Sequence, residues 1–168
     1  MAEPLAALRI LVVDDNPQMR EIITAVLKAA GVTNLHTAPD GRRGLLKLSE
    51  LNFDCIFTDF EMPVMNGIEF VQRIRSEQQA HRFTPIIMLT GYSELNHIKL
   101  ARDSGVSEFL RKPVTAREIL LRLETAILRP RAFVNSQKYF GPDRRRTRPD
   151  DYAGPKRRAK DKNQLVEL

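Results

Sequence analysis

The chain has 168 residues and a formal charge of +6, and all of that excess lies after Arg129: residues 130–168 hold 11 Lys+Arg against 5 Asp+Glu, residues 1–129 hold 16 of each. The length allows one domain plus an appendage, and the basic excess points to an anionic partner for the appendage alone. No run approaches 18 apolar residues, Met1-Ala-Glu-Pro-Leu5 lacks a basic leader pattern, and Cys55 is the only cysteine, so a soluble cytoplasmic chain without an internal disulfide is expected.

Up to Arg129, short apolar runs alternate with amphipathic stretches. Leu8–Val13 reads as a strand covered on both faces. Asn16-Pro17 offers an N-cap and an N1 proline to a helix through Met19, Ile22, Ile23, Val26, Leu27 and Ala30, ended by Gly31. Asn34–Thr37 is a weak strand, and Asp40–Glu50 a helix with Leu45, Leu46 and Leu48 inward. A third strand covers Asp54–Thr58, followed by a helix over Gly67–Gln78 through Ile68, Phe70, Val71 and Ile74. Pro85–Leu89 is a fourth strand, Ser93–Ser104 a helix and Ser107–Leu110 a fifth strand. Thr115-Ala-Arg-Glu118 is a capping-box pattern for a last helix burying Ile119, Leu120, Leu123 and Ile127. Five βα units predict an α/β fold, a doubly wound parallel sheet over residues 6–129. Residues 130–168 carry four of the ten prolines and no apolar face, and are expected to form an arm that is disordered or ordered only on binding.

Ligands of doubly wound sheets sit at the carboxyl ends of the strands. That edge carries Asp14 and Asp15 after the first strand, Asp59 after the third, Thr90 after the fourth and Lys112 after the fifth. A nucleotide site would want glycines after the first strand, whereas Asp14-Asp-Asn-Pro17 repels phosphate. Clustered carboxylates repel one another and invite a hard divalent cation such as Mg²⁺. Lys112 adds a mobile cation, and Thr90 a hydroxyl, for a phosphoryl oxygen.

Asp14-Asp15, Asp59-Phe-Glu-Met-Pro-Val-Met-Asn-Gly67, Thr90-Gly91 and Phe109-Leu-Arg-Lys112-Pro113 resemble, in order and spacing, the CheY-like receiver domains of two-component response regulators. The resemblance implies a flavodoxin-like (βα)5 fold and a signalling module rather than an enzyme. It implies that Asp59 takes a phosphoryl group from a histidine kinase or phosphotransfer protein. Asp14, Asp15, Asp59 and the backbone carbonyl of Glu61 would hold Mg²⁺, and Lys112 and Thr90 would stabilise the aspartyl phosphate. Thr90 and Phe109 would form the switch pair, with phenylalanine where tyrosine is frequent, and Lys112–Pro113 a cis peptide.

The arm is too short and irregular for a DNA-binding output domain. It reads as a solvated basic tail, as a nonspecific nucleic-acid binder stacking Phe133, Tyr139, Phe140 and Tyr152 on bases, or as a site for a small guanine-bearing anion. Its cations are mostly arginine, which makes planar bidentate contacts to phosphate and to guanine O6/N7. Asp143, Asp150 and Asp151 are interleaved, and a tail meant only for phosphates gains nothing from them. A carboxylate does accept from guanine N1–H and N2–H₂ together, and Gly141-Pro142 and Gly154-Pro155 mark turns.

Beside a receiver-like domain, Phe140-Gly-Pro-Asp-Arg-Arg-Arg146 and Arg148-Pro-Asp-Asp151 resemble the CheY-like cyclic-di-GMP effectors, the Cle group. That resemblance implies cyclic di-GMP held by Arg131, Tyr139, Asp143, Arg144, Arg145, Arg146, Arg148, Asp150, Asp151, Arg157 and Arg158. It further implies docking on a flagellar motor switch protein, a role in chemotaxis or surface attachment, and recruitment to the flagellated pole. The alternative is a purely phosphorylation-driven receiver, a motor regulator or phosphate sink, whose tail meets nucleic acid or an acidic protein.

Overall fold

Successive strand residues point to opposite faces of a sheet, and here both faces are apolar. A computed structural model describes residues 3–77, 80–91, 95–144 and 164–166. In it β1 (Arg9–Val13), β2 (Asn34–Ala38), β3 (Cys55–Asp59), β4 (Ile86–Thr90) and β5 (Glu108–Arg111) form one parallel sheet, ordered β2-β1-β3-β4-β5. Leu11, Val13, Ile56, Ile86 and Met88 are buried under α2 (Gly41–Glu50), α3 (Gly67–Ser76) and α4 (Leu95–Ser104). Their neighbours Ile10, Val12, Cys55, Phe57, Ile87 and Leu89 face α1 (Pro17–Ala29) and α5 (Ala116–Leu128). This is the expected doubly wound sheet, with its topological switch between β1 and β3.

The helices start where the capping residues stand. Asn16 accepts from the Gln18 and Met19 amides, and Asp40 from that of Arg43. Asn66 with Glu69, and Thr115 with Glu118, close complete capping boxes. Three details differ from expectation. Strand β3 continues to Asp59, so the acid ends the strand rather than following it. Leu46 is 56% exposed, because at 100° per residue it leaves the face that Leu45 and Leu48 share. A helical turn at Glu3–Ala6 and a 3₁₀ turn at Ala80–Phe83 were too short for periodicity to reveal.

The larger correction concerns the arm. Residues expected to be irregular form an antiparallel hairpin, β6 (Phe133–Ser136) and β7 (Tyr139–Pro142), with Ser136 opposite Tyr139 across Gln137-Lys138. A third strand, β8 (Gln164–Val166), pairs with the other edge of β6. Four-residue strands give too little alternation to read, and their apolar side chains find cover only in the foot of the α/β domain. Phe83, Phe133 and Phe140 form a cluster with centroids 5.3–5.5 Å apart, and Phe133 is 3% exposed.

Two arginines complete this foot. Arg75, fully buried on α3, lies 5.0 Å over the Phe133 ring, and Arg82 lies 3.6 Å over Phe140. Arg75 donates to the carbonyls of Gly105, Arg82 and Thr84 at 3.0, 2.6 and 2.9 Å. Burial lowers its pKa to about 9. Strand β7 lies so close to the α4–β5 turn that a Cβ on Gly141 would stand 2.9 Å from the Gly105 Cα. Only glycine allows that approach.

Candidate functional site

The carboxyl ends of β1, β3, β4 and β5 converge on one acidic depression. Asp14 and Asp59 are buried and Asp15 is exposed, and one carboxylate oxygen of each lies within 4.8 Å of the others. Lys112 reaches in from beyond β5, with Nζ 2.8 Å from Asp59 Oδ1 and 3.6 Å from Asp14 Oδ2. Thr90, 6% exposed, ends β4 beside them, and its carbonyl accepts from the Lys112 amide at 2.9 Å. The Lys112–Pro113 peptide is cis, as expected. Phe109 of β5 packs partly buried against the core on the α4 side.

Local backbone fixes these positions. The Asn16 amide donates to Asp14 Oδ1 at 2.9 Å, and the Phe60 amide to the Leu89 carbonyl at 2.9 Å. Gly67 packs on the β3 end so tightly that a Cβ would stand 2.1 Å from the Asp59 carbonyl. Between them Glu61 is exposed, and Val64 takes a positive φ of 70°, a cost that tight loops beside functional groups often carry.

The electrostatics are unbalanced. Burial raises the Asp14 pKa above the usual carboxylate range, opposed by the Asn16 amide and Lys112 and reinforced by Asp15. Burial also raises that of Asp59, with Lys112 opposing and Asp14 adding to the rise. For Lys112 burial acts downward, but its bond to Asp59 and the two nearby charges outweigh this and raise the pKa. Three carboxylates face one ammonium, and Asp14 Oδ2 is buried with no hydrogen-bond partner. A residual charge of minus two, an all-oxygen donor set and an orphaned inward oxygen fit a hard divalent cation.

The model of the response regulator receiver domain matches residues 10–124. The chain belongs to the receiver family. It is 35% identical over 117 residues to the chemotaxis protein CheY of Pseudomonas aeruginosa, covering 70% of this chain and 94% of that protein. CheY-3 of Vibrio cholerae is 33% identical, over 70% and 89% respectively. The solved structure of Vibrio cholerae CheY4 superposes with a TM-score of 0.65 at 36% identity, covering 71% of this chain and 98% of that one. The receiver domain of the sensor histidine kinase PA1611 from Pseudomonas aeruginosa, 27% identical with a TM-score of 0.64, covers 72% and 97% and holds a magnesium ion in its active-site cleft.

At the receiver's other end, the amino ends of β4 and β5, stand the described arm residues. Arg131 bonds Glu108 of β5 at 3.1 Å, and Glu108 also holds Arg122 of α5 at 3.1 Å. The Tyr139 hydroxyl donates to the Pro142 carbonyl at 2.9 Å, and the Asp143 amide to the Ala132 carbonyl at 2.7 Å. Arg144 pairs with Asp103 of α4 at 3.2 Å and stacks 4.0 Å over Tyr139. Arg145, Arg146, Arg148, Asp150, Asp151, Arg157 and Arg158 lie outside the described residues. Arg131 and Tyr139, expected as ligand contacts, therefore also hold the arm in place, while Arg144 keeps an exposed guanidinium beside Asp103.

Sequence reasoning missed two supports of the receiver. Arg20 donates to the Asp14 carbonyl at 2.6 Å and to that of Asp15 at 3.3 Å, steadying the acidic loop from α1. A charge in a helix's first turn carries no signal of that task. Arg75 did carry one: it follows Ile68 and Val71 at helical spacing, in the buried stripe.

Proposed function

We propose that this receiver is a single-domain response regulator, not an enzyme, which is phosphorylated on Asp59 and binds cyclic di-GMP through its arginine-rich arm. The histidine of a kinase or phosphotransfer protein is the phosphoryl donor. An Asp59 oxygen attacks phosphorus as the P–N bond breaks, and Lys112 and the Thr90 hydroxyl neutralise the oxygens of the new acyl phosphate. Mg²⁺, when bound by Asp14, Asp15, Asp59 and the Glu61 carbonyl, offsets charge between the carboxylates and the phosphoryl group. The carrying observation is Lys112 Nζ at 2.8 Å from Asp59 inside a carboxylate cluster that one ammonium leaves under-neutralised.

For the arm, the support is chemical: guanidiniums mixed with carboxylates, in a segment that resembles the Cle group and CleD in particular. Similarity to chemotaxis proteins CheY and CheY-3 favours chemotaxis as the process, and the resemblance to the Cle group adds a flagellar motor switch protein as the target and surface attachment as a further outcome. We place this work in the cytoplasm, with recruitment to the flagellated pole, on the resemblance to the Cle group alone. Among the described residues no helix is long and apolar enough to cross a membrane.

Calorimetric titration of the full chain tests the ligand. The hairpin is built on Phe83 and Arg75, so an isolated arm peptide would not present the same surface. Saturable binding of cyclic di-GMP, with GTP and mixed-sequence DNA far weaker, is the expected result. Equal, strongly salt-dependent binding to all three refutes it and favours a polyanion-binding tail.

A further inference from the structure

Strand β7 delivers Arg144 to the last turn of α4, where a compact polar group forms. Arg144 Nη1 lies 3.2 Å from Asp103 Oδ1, and Arg102 Nε reaches the same oxygen at 3.3 Å. The Arg144 guanidinium stacks 4.0 Å over the Tyr139 ring, which the hydroxyl bond to Pro142 holds in place. Arg102, Asp103 and Arg144 stay 43, 47 and 38% exposed. Exposed ion pairs contribute little to stability, so the cluster is poorly explained as a fastening. Its chemistry suits a guanine nucleotide better. A carboxylate accepts from the guanine N1–H and N2–H₂ donors, guanidiniums bind phosphate or O6/N7, and the outer face of a stacked guanidinium receives a base.

We propose that Asp103, flanked by Arg102 and Arg144, reads the guanine edge of a phosphodiester-linked guanine dinucleotide, so that the ligand is held jointly by α4 and the arm. This rests on the cyclic-di-GMP reading of the arm and adds a receiver residue to that site. On binding, the Asp103 carboxylate exchanges Arg144 for the guanine donors, and the released guanidinium turns to the phosphodiester. The two-guanidinium cluster then sits on an anion without an unpaired carboxylate. The dinucleotide would also touch α4 directly, joining the second messenger to one of the helices that cover the sheet.

The sign of one substitution separates this from plain charge attraction. Asp103→Asn removes a negative charge next to an anionic ligand, so electrostatics alone predicts tighter binding. An edge-reading carboxylate predicts the reverse, a loss on the order of tenfold for cyclic di-GMP. Cyclic di-AMP, whose base lacks the N1–H and 2-amino donors, should show no loss. The measurement is calorimetric titration of the full-length wild type, Asp103→Asn and Asp103→Glu with both dinucleotides, Asp103→Glu being expected to keep the guanine preference. Unchanged or tighter cyclic-di-GMP binding by Asp103→Asn overturns the proposal and leaves the arm reading intact. Equal losses for both dinucleotides also overturn it, since Asp103 would then only hold the hairpin. If the wild type binds no cyclic di-GMP, it is the underlying reading that fails.

Discussion

Asp14 combines full burial with a carboxylate oxygen that makes no hydrogen bond and has only the Lys112 ammonium, 3.6 Å away, as a counter-charge, a cost accepted for the site's sake. Its folded pKa is raised, so its ionised form destabilises the cation-free protein at neutral pH. The sign follows: the protonated form's stabilising contribution is complete below the unfolded carboxylate pKa and is lost as pH rises through the raised folded value. Asp14→Asn, which can keep the Asn16 amide bond, should therefore stabilise the cation-free protein by about 1 kcal/mol, roughly 2–4 °C. Millimolar Mg²⁺ should stabilise the wild type and leave the variant unchanged. Thermal unfolding in chelator and in Mg²⁺ checks both arms, and a cation-free variant less stable than wild type contradicts the account. Asp14, Asp59, Thr90 and Lys112 were legible in sequence because strand ends are legible. Arg20 was not, since its partners are backbone carbonyls that any loop possesses.

The receiver's elements announce themselves through apolar period and caps, and Asn16, Asn66 and Thr115 each stand at the helix start their residue types predict. The hairpin does not, because Phe133, Val134 and Phe140 are too few to show a period and gain cover only where α3, the 3₁₀ turn and the α4–β5 turn come together. If that packing is integral, Phe133→Ala should cost roughly 3 kcal/mol, as for other buried aromatic truncations. Chemical denaturation should remain one transition, shifted to lower denaturant. An unshifted midpoint would mean that the hairpin hangs loosely on a domain that folds without it. A single shifted transition would mean that the boundary after Arg129, drawn from charge, separates compositions rather than folding units.

Across the whole molecule, the acidic site lies at the carboxyl ends of the strands and the basic arm is rooted at their amino ends. That separation predicts independent chemistries: Asp59→Asn should abolish phosphorylation while changing cyclic-di-GMP affinity by no more than about twofold. A phosphotransfer assay and a titration of the same variant check this, and a joint loss would show that one site is built on the other. The amino-acid sequence by itself determined the doubly wound sheet, the acid cluster at its carboxyl edge and the charge division at Arg129, because period, caps and strand-end residues act locally. Only the tertiary structure decided that Phe133–Pro142 is folded, that Arg75 is buried beneath it, and that Asp103 meets Arg144. Those outcomes depend on surfaces far apart in the chain, whose apolar and charged groups have no partner until the sheet has brought them together.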